Sequence, residues 1–468
     1  MKKIFKVFIL LCLILLILRS VAYLYIPKYL DFNPRLLEQL NNVEVLFIGP
    51  STSQLSISPL YIWHNYGVTS YNLSSSAQNY DMSYYLLKKY ISDDTKIVFF
   101  DITLFLREEN PIQNTIYAWY LNIFDRIKYY SKQNDYIYKY TLLYSFNSFH
   151  TRWKSLTKED FSNNNLYGFR NTSRPFIIRK QQPFNIDKTQ LYTKIGNLEN
   201  NKSEFITTLE QFAKKNNIKI IYWIRPFTKG VPEKYLNVLK FEKYAEEHNL
   251  DFINFNNSKL SKTFNYKKDF YDAVHPNIYG GKRIMDYLMQ YAIKQYKISN
   301  HNNDSKYVSW DRDYIKYIRI VNREEIRRIN FLEEWQNLAY YDNYTMLISA
   351  NSDNLLNRLP QKMKDKFKLI GLNKFETDKT NQKYVAIIDN GKVFYEEVSD
   401  SKAEYKGRMN NIVNLQVSAI DKNIIINISG KPKAKNKYGI NFVLYDKVNR
   451  EIVDSIWIDP KEPNKVRR

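Results

Sequence analysis

Five short, strongly apolar runs alternate with segments of helical periodicity, and this alternation constrains the fold more than any other feature of the chain. The apolar runs occupy residues 43–49, 68–73, 96–102, 218–224 and 250–255. The helix-period segments occupy residues 57–66, 80–91, 202–216, 233–248 and 279–296. Continuous apolar strands joined by helices are typical of a parallel sheet covered on both faces. The sequence therefore predicts an α/β domain whose reactive side chains lie at the carboxyl ends of the strands.

Two stretches interrupt this pattern. Residues 111–190 are crowded with aromatic, lysine and asparagine residues, so we interpret them as an insertion over the strand ends. Their aromatic rings could stack on sugars or could simply pack helices together: Tyr117, Trp119, Tyr120, Tyr129, Tyr130 and Trp153. The polar stretch at 299–306 predicts a linker. The sequence pattern changes after it, to a helix-rich segment followed by short alternating strands. We expect a separate α/β or β-rich domain over 301–468, with a hairpin at Asp389-Asn390-Gly391.

The amino-terminal segment has the pattern of a signal anchor. Three lysines precede an uninterrupted apolar run at 7–18, and a milder apolar stretch follows it. This pattern predicts a transmembrane helix over residues 1–26, with everything from residue 27 onward outside the cytoplasm. The Ser-Val-Ala motif at 20–22 has the spacing of a cleavage site, but the apolar continuation favours retention. We therefore expect a single-pass protein of the cell membrane.

The charge of the chain indicates the kind of partner it meets. The formal net charge is +22, which suits nucleic acid, an acidic membrane surface or an anionic polymer. A membrane-anchored domain facing outward does not meet nucleic acid, which leaves an anionic cell-wall glycopolymer as the expected partner. The single cysteine, Cys12, lies in the predicted anchor and cannot form an intramolecular disulfide, which fits an exported bacterial protein.

One histidine stands apart from the others in its sequence context. The chain has five histidines, and only His275 has an acidic residue at useful spacing, Asp272, in "FYDAVHPNIYGGKRI". A carboxylate three residues before an imidazole can hold its tautomer and stabilise its charged form. Ser51 follows the first apolar run in "VLFIGPSTSQ", where a parallel sheet would bring it to the same edge as His275. These residues predict a Ser51, Asp272 and His275 triad with Ser51 as nucleophile.

The two motifs together resemble the SGNH (GDSL-like) hydrolase superfamily over residues 42–295. "FIGPSTS" is similar to the first conserved block of that family and "DAVHPN" to its last. The resemblance implies a flavodoxin-like three-layer fold for residues 27–300. It also implies that Ser51 is the nucleophile, Asp272 the orienting acid and His275 the general base. No cofactor is expected, and the sequence shows no metal-binding motif.

The oxyanion-binding blocks of this family are less complete here. In "YNLSSSAQN" the family usually has a glycine whose backbone N–H binds the oxyanion, and Ala77 occupies that position. The third block, which carries an asparagine, is replaced by "VFFDITLF", with Asp101 and Thr103 in its place. Loss of one oxyanion donor can slow a reaction by about a hundredfold. The chain could therefore be a slow hydrolase, a specialised transferase or an inactive relative.

A missing third block is typical of membrane-anchored relatives that modify cell-envelope polymers. The stretch "LFIGPSTSQLSISPLYIWHNYGVTSYNLSSSAQNYDMSYYLLKKYI" resembles the branch that acts in teichoic-acid D-alanylation and exopolysaccharide O-acetylation. This resemblance implies an acyltransferase with an acyl-serine intermediate that works beside a multi-spanning membrane O-acyltransferase. The alternatives are a carbohydrate esterase or deacetylase, and an inactive polysaccharide-binding or scaffolding subunit.

Two further interpretations concern the carboxy-terminal half of the chain. The region from "YTMLISANSD" to "IVDSIWID" resembles interleukin-like EMT-inducer domains, which implies a β-rich module for carbohydrate or partner binding. The pair Gly280-Gly281 follows the His275 motif, and we interpret it as a site of close helix packing rather than a phosphate-binding loop.

Overall fold

The chain forms two compact units, Met1–Tyr314 and Ile315–Arg468. The computed structural model describes Lys154, scattered residues among the first seventeen, and residues 43–75, 78–106, 195–228, 232–302, 304–335, 344–351, 359–375, 382–409, 412–435, 439–459 and 461–468. Most of the predicted anchor and nearly all of the predicted insertion at 111–190 lie outside these residues. Within them, no helix is both long enough and apolar enough to span a membrane.

The first unit alternates strands and helices, as the sequence predicts. Its strands are β1 (Val45–Ile48), β2 (Ser70–Asn72), β3 (Ile97–Asp101), β4 (Lys219–Ile224) and β5 (Asp251–Asn254). Its helices are α1 (Ser51–Ser56), α2 (Pro59–Tyr66), α3 (Tyr80–Tyr90), α4 (Asn200–Lys215), α5 (Pro232–Glu247) and α6 (Ile278–Gln295). A further helix, α7 (Val308–Ile326), contains the boundary between the two units.

The five strands form one parallel sheet in the order β2-β1-β3-β4-β5. The parallel α/β architecture predicted from the sequence is therefore confirmed. After β2 the chain returns to the other side of β1, so the strand order reverses between β1 and β3. In open parallel sheets, ligands bind outside the carboxyl ends of the strands at such a switch point. Ser51 follows β1 and Asp101 ends β3, so both residues lie at this crevice.

Helices cover both faces of the sheet because alternate residues of each strand point to opposite sides. On one face, Leu46 and Ile48 pack in a core shared with residues of α3, α4 and α5. On the other face, Val45 and Phe47 pack in a core shared with residues of α2 and α6. The three central strands, β1, β3 and β4, are thus buried on both faces, which explains why they read as continuous apolar runs rather than as alternating ones.

The second unit is rich in antiparallel strands. After α7 its elements are β6 (Thr345–Ala350), α8 (Gln361–Leu369), β7 (Lys383–Asp389), β8 (Lys392–Ser399), β9 (Lys402–Met409), β10 (Ile412–Ile420), β11 (Asn423–Ile428), β12 (Lys431–Pro432), β13 (Ile440–Asp446), β14 (Glu451–Ile458) and β15 (Val466–Arg467). They form a six-stranded sheet, β15-β14-β13-β6-β7-β8, and a four-stranded sheet, β12-β11-β10-β9. The two sheets share one apolar core. This unit is the β-rich region predicted for the carboxy-terminal part.

The hairpin predicted at Asp389-Asn390-Gly391 joins β7 to β8. Asp389 pairs with Lys392, which leaves Asn390 and Gly391 as a two-residue loop. Both residues have positive φ, at 51° and 69°. Tight hairpin turns of this kind require two positive φ angles, which Asn and Gly adopt at the least cost.

Candidate active site

Ser51 lies where β1 turns into α1, at the carboxyl edge of the sheet. Its Oγ is 2.8 Å from Nε2 of His275, although the two residues are 224 positions apart in the chain. Ser51 is only 8% exposed. Its position at the start of a helix places it beside backbone N–H groups that have no acceptor within the helix and that favour negative charge.

The second ring nitrogen of His275 faces the carboxylate of Asp272. His275 Nδ1 lies 3.0 Å from Asp272 Oδ1 and 2.9 Å from Oδ2. Oδ1 also accepts the backbone N–H groups of Val274, at 2.7 Å, and of His275, at 2.8 Å. The three residues Ser51, His275 and Asp272 thus form one continuous chain of hydrogen bonds.

The charge of Asp272 decides which nitrogen of His275 carries the proton. Burial of the Asp272 carboxyl opposes ionisation, but the hydrogen bonds and charge of His275 and the N–H of Val274 outweigh it and lower the pKa of Asp272 to about 2. An ionised carboxylate can only accept hydrogen bonds, so His275 Nδ1 must donate to it. In the neutral imidazole, Nε2 then has a free lone pair toward the Ser51 hydroxyl.

The loop that carries Asp272 and His275 is braced at both ends. The N–H of Tyr271 donates to the carbonyl of His275 at 2.8 Å, which closes the loop. Asn277 Oδ1 accepts from the N–H of Tyr279 and caps α6, while Asn277 Nδ2 donates to the carbonyl of Lys268. The "HPN" motif therefore begins the helix and fixes the loop at the same time.

The Gly280-Gly281 pair permits the close helix packing that the sequence indicates. A Cβ on Gly281 would lie 2.4 Å from the carbonyl oxygen of Ser56 in α1, and one on Gly280 would lie 2.2 Å from the carbonyl oxygen of Asp269. Only glycine allows so close an approach. The helix that follows His275 is thereby held against the helix that begins with Ser51.

Two of the predicted oxyanion contributors fall in the described residues, and they differ in their surroundings. Asp101 is fully buried, and its carboxylate accepts hydrogen bonds from Thr52, Ser53 and the N–H of Thr103. An acceptor of three hydrogen bonds is not placed to donate one to an oxyanion, so the interpretation of Asp101 as an oxyanion contributor is wrong. Thr103 Oγ1 is buried and has no hydrogen-bond partner in the described part of the chain. Ala77 lies outside the described residues.

Long-range contacts add residues that the sequence does not indicate. The Thr228 hydroxyl, in the loop after β4, donates to the carbonyl of Ala273, between Asp272 and His275. Asn256, after β5, accepts the N–H of Phe227 at 2.6 Å and so braces the same loop. No local motif could reveal these contacts, because Thr228 and Ala273 are 45 residues apart.

One histidine has an acidic partner that spacing did not reveal. His301 Nε2 is 2.9 Å from Oε2 of Glu44, whose other oxygen pairs with Lys96 at 2.5 Å. Glu44 precedes β1, so this cluster lies at the amino edge of the sheet, opposite the crevice of Ser51. Sequence spacing could not reveal this contact, because Glu44 and His301 are 257 residues apart. Across the described ranges, no group of three or more His, Cys, Asp or Glu residues could hold a metal ion.

The fold and the site together define an α/β unit with a hydrogen-bonded Ser-His-Asp constellation at a strand-order switch point. No protein-family model matches the chain, and no curated protein matches it. Among solved structures, it is similar to a protein of Bacteroides fragilis titled a "putative acylhydrolase", at 13% identity and a TM-score of 0.28, over 57% of this chain and 97% of that chain. A similarity of that size carries no argument about function.

Proposed function

We propose that this protein is an SGNH-type acyltransferase, of flavodoxin-like three-layer fold, that modifies a cell-envelope glycopolymer through an acyl-serine intermediate. The observation that carries the proposal is the chain of contacts from Ser51 Oγ through His275 to Asp272. This arrangement of nucleophile, base and orienting carboxylate is the one that serine acyl transfer requires.

The first half of the reaction transfers an acyl group to Ser51. As Ser51 Oγ attacks the acyl carbonyl carbon, its proton passes to His275 Nε2. The bond between that carbon and the donor's leaving atom then breaks, and His275 Nε2 returns the proton to the leaving group. Asp272 stabilises the imidazolium that exists between these two proton transfers.

The second half transfers the acyl group to a hydroxyl. An acceptor hydroxyl gives its proton to His275 Nε2 as its oxygen attacks the acyl-serine. The bond to Ser51 Oγ breaks, and the proton returns to Oγ, so the enzyme is regenerated and the acceptor leaves as an ester. With a sugar or polyol hydroxyl the protein is a transferase; with water, the alternative, it is a carbohydrate esterase or deacetylase.

The negative charge that develops on the acyl oxygen needs hydrogen-bond donors. We propose the backbone N–H groups at the start of α1 as donors, because Ser51 is the first residue of that helix. The buried Thr103 hydroxyl supplies a further donor in our proposal, because it has no other partner in the described part of the chain. We propose the backbone N–H of Ala77 as the remaining donor, in keeping with the resemblance of "YNLSSSAQN" to the second family block.

The charge and the amino-terminal pattern of the sequence support an envelope polymer as acceptor. A net charge of +22 would concentrate an anionic teichoic-type polymer near the protein. A signal anchor over residues 1–26 would hold the site outside the membrane, beside a multi-spanning O-acyltransferase that supplies the acyl group. The β-rich second unit is then a module for carbohydrate or partner binding.

Covalent labelling of the full-length chain tests the proposal. We expect a fluorophosphonate probe to label the protein and an aryl acetate to be hydrolysed slowly, with both reactions absent in Ser51→Ala. Ser56→Ala is the matched control, because Ser56 lies in the same helix but donates to the carbonyl of Thr52. Rapid hydrolysis that depends on Ser51 would favour the esterase. Absence of labelling would contradict the nucleophile and leave an inactive polysaccharide-binding or scaffolding subunit.

A further inference from the structure

Three consecutive residues with hydroxyl groups, Ser51, Thr52 and Ser53, follow β1, but their hydroxyls have different partners. The Ser51 hydroxyl faces His275. The hydroxyls of Thr52 and Ser53 are fully buried and both donate to Oδ2 of Asp101, at 2.6 and 2.8 Å. One carboxylate thus binds the two residues that directly follow Ser51.

The Asp101 carboxylate is itself fixed in one orientation. Its other oxygen, Oδ1, accepts the N–H of Thr103 at 2.8 Å, so both oxygens are used. Gly49 makes room for this arrangement, because a Cβ there would lie 2.7 Å from Asp101 Cβ and 2.3 Å from Ser53 Oγ. Hydrogen bonds to a carboxylate are stronger than those between neutral groups, and burial strengthens them further.

We propose that Asp101 is a positioning residue for acyl transfer. Through Thr52 and Ser53 it fixes the first turn of α1, and through the N–H of Thr103 it fixes the segment that carries the proposed oxyanion donor. It also keeps the two neighbouring hydroxyls away from His275, so that only Ser51 is activated. The inference rests on the proposed function, because it assumes that Ser51 is the nucleophile.

A pair of variants at Thr52 separates this role from simple packing. Thr52→Val keeps the shape of the side chain but removes the donor to Asp101, whereas Thr52→Ser keeps the donor and removes a methyl group. A packing role predicts that Thr52→Ser is the more harmful change. A positioning role predicts that Thr52→Val slows the acylation of Ser51 while Thr52→Ser preserves it.

The test measures the maximal rate of fluorophosphonate labelling and the concentration of probe that gives half that rate, for the full-length chain. We expect Asp101→Asn to lower the maximal rate by about tenfold or more, and Thr52→Val to lower it several-fold, because small displacements of reacting atoms are costly. The half-saturating concentration should change little, and Thr52→Ser should label at close to the unchanged rate.

The possible outcomes distinguish the two proposals. If wild-type labelling depends on Ser51 but Asp101→Asn and Thr52→Val label at the wild-type rate, the positioning role of Asp101 is wrong and the nucleophile stands. If the wild-type chain is not labelled, the proposed function fails and the inference fails with it. If Asp101→Asn does not fold, as judged by circular dichroism, the Thr52 pair decides the question alone.

Discussion

Asp272 sets the proton arrangement of the site through a single side chain. Its carboxylate receives Nδ1–H of His275, which leaves Nε2 to accept the proton of Ser51. In Asp272→Asn the amide can donate to Nδ1, which favours the wrong tautomer. We expect the rate of Ser51 labelling to fall by about a thousandfold or more. Labelling kinetics would check this, with Asp286→Asn as control, because Asp286 accepts from Tyr61 and Tyr66 instead; an unchanged rate in Asp272→Asn would contradict the triad.

The Asp272 carboxylate also makes the free energy of unfolding depend on pH in the acid range. Its hydrogen bonds lower the pKa of Asp272 from the usual 3.8 to about 2 in the folded chain. A lowered pKa means that the folded state holds the ionised form more strongly than the unfolded state does. The stabilisation is therefore present above pH 3.8 and is lost as the pH falls toward 2. We expect the difference in free energy of unfolding between the wild type and Asp272→Asn to shrink over that interval, measured by denaturant titration at several pH values; a constant difference would contradict it.

At the scale of elements, α1 and α6 are held together by a backbone contact at Gly281. A Cβ there would lie 2.4 Å from the carbonyl oxygen of Ser56, so Gly281→Ala must push the two helices apart. We expect a loss of about 1–3 kcal/mol in the free energy of unfolding and slower labelling of Ser51. Gly196→Ala is the matched control, since a Cβ there meets only a lysine side-chain atom at 3.9 Å. Equal stability of the two variants in thermal melts would contradict the role of Gly281.

The loop after β4 and the Asp272–His275 loop are joined by one hydroxyl. Thr228 Oγ1 donates to the carbonyl of Ala273, and Thr228 is fully buried. Thr228→Val removes this donor and so loses one hydrogen bond to the Ala273 carbonyl, which costs about 0.5–1.5 kcal/mol. We expect Thr228→Val to lower both the melting temperature and the labelling rate, and Thr228→Ser to preserve both. The hydrogen bond is unimportant if the valine variant matches the serine variant in both measurements.

The elements themselves could be predicted because their causes are local. The central strands of the parallel sheet are buried on both faces, so they appear in the sequence as apolar runs. The hairpin follows from the φ requirements of Asn390 and Gly391. Proximity of Ser51 to His275 followed from the rule that strand ends share one edge. The roles of Asp101, Thr228 and His301 could not be predicted, because their partners in these contacts lie 45 to 257 residues away.

For the whole molecule, the excess of positive charge predicts salt-dependent binding of an anionic polymer. The formal net charge is +22, and ionic screening shortens the reach of charge from about 10 Å at 0.1 M salt to about 3 Å at 1 M. We expect the full-length chain to bind lipoteichoic acid at low salt and to release it as salt rises, measured by co-sedimentation. Uncharged dextran is the control. Binding that salt does not weaken would contradict an electrostatic attraction.

The tight packing around Gly49 constrains how the sequence can change during evolution. A side chain at position 49 would meet Asp101 Cβ at 2.7 Å and Ser53 Oγ at 2.3 Å, so these positions cannot diverge independently. Relatives that acquire a larger residue at position 49 should have a smaller one at position 101 and should lose the hydroxyl at position 53. An alignment of divergent homologues would then show these three positions changing together, while the neighbouring apolar strand positions exchange freely among Val, Ile and Leu.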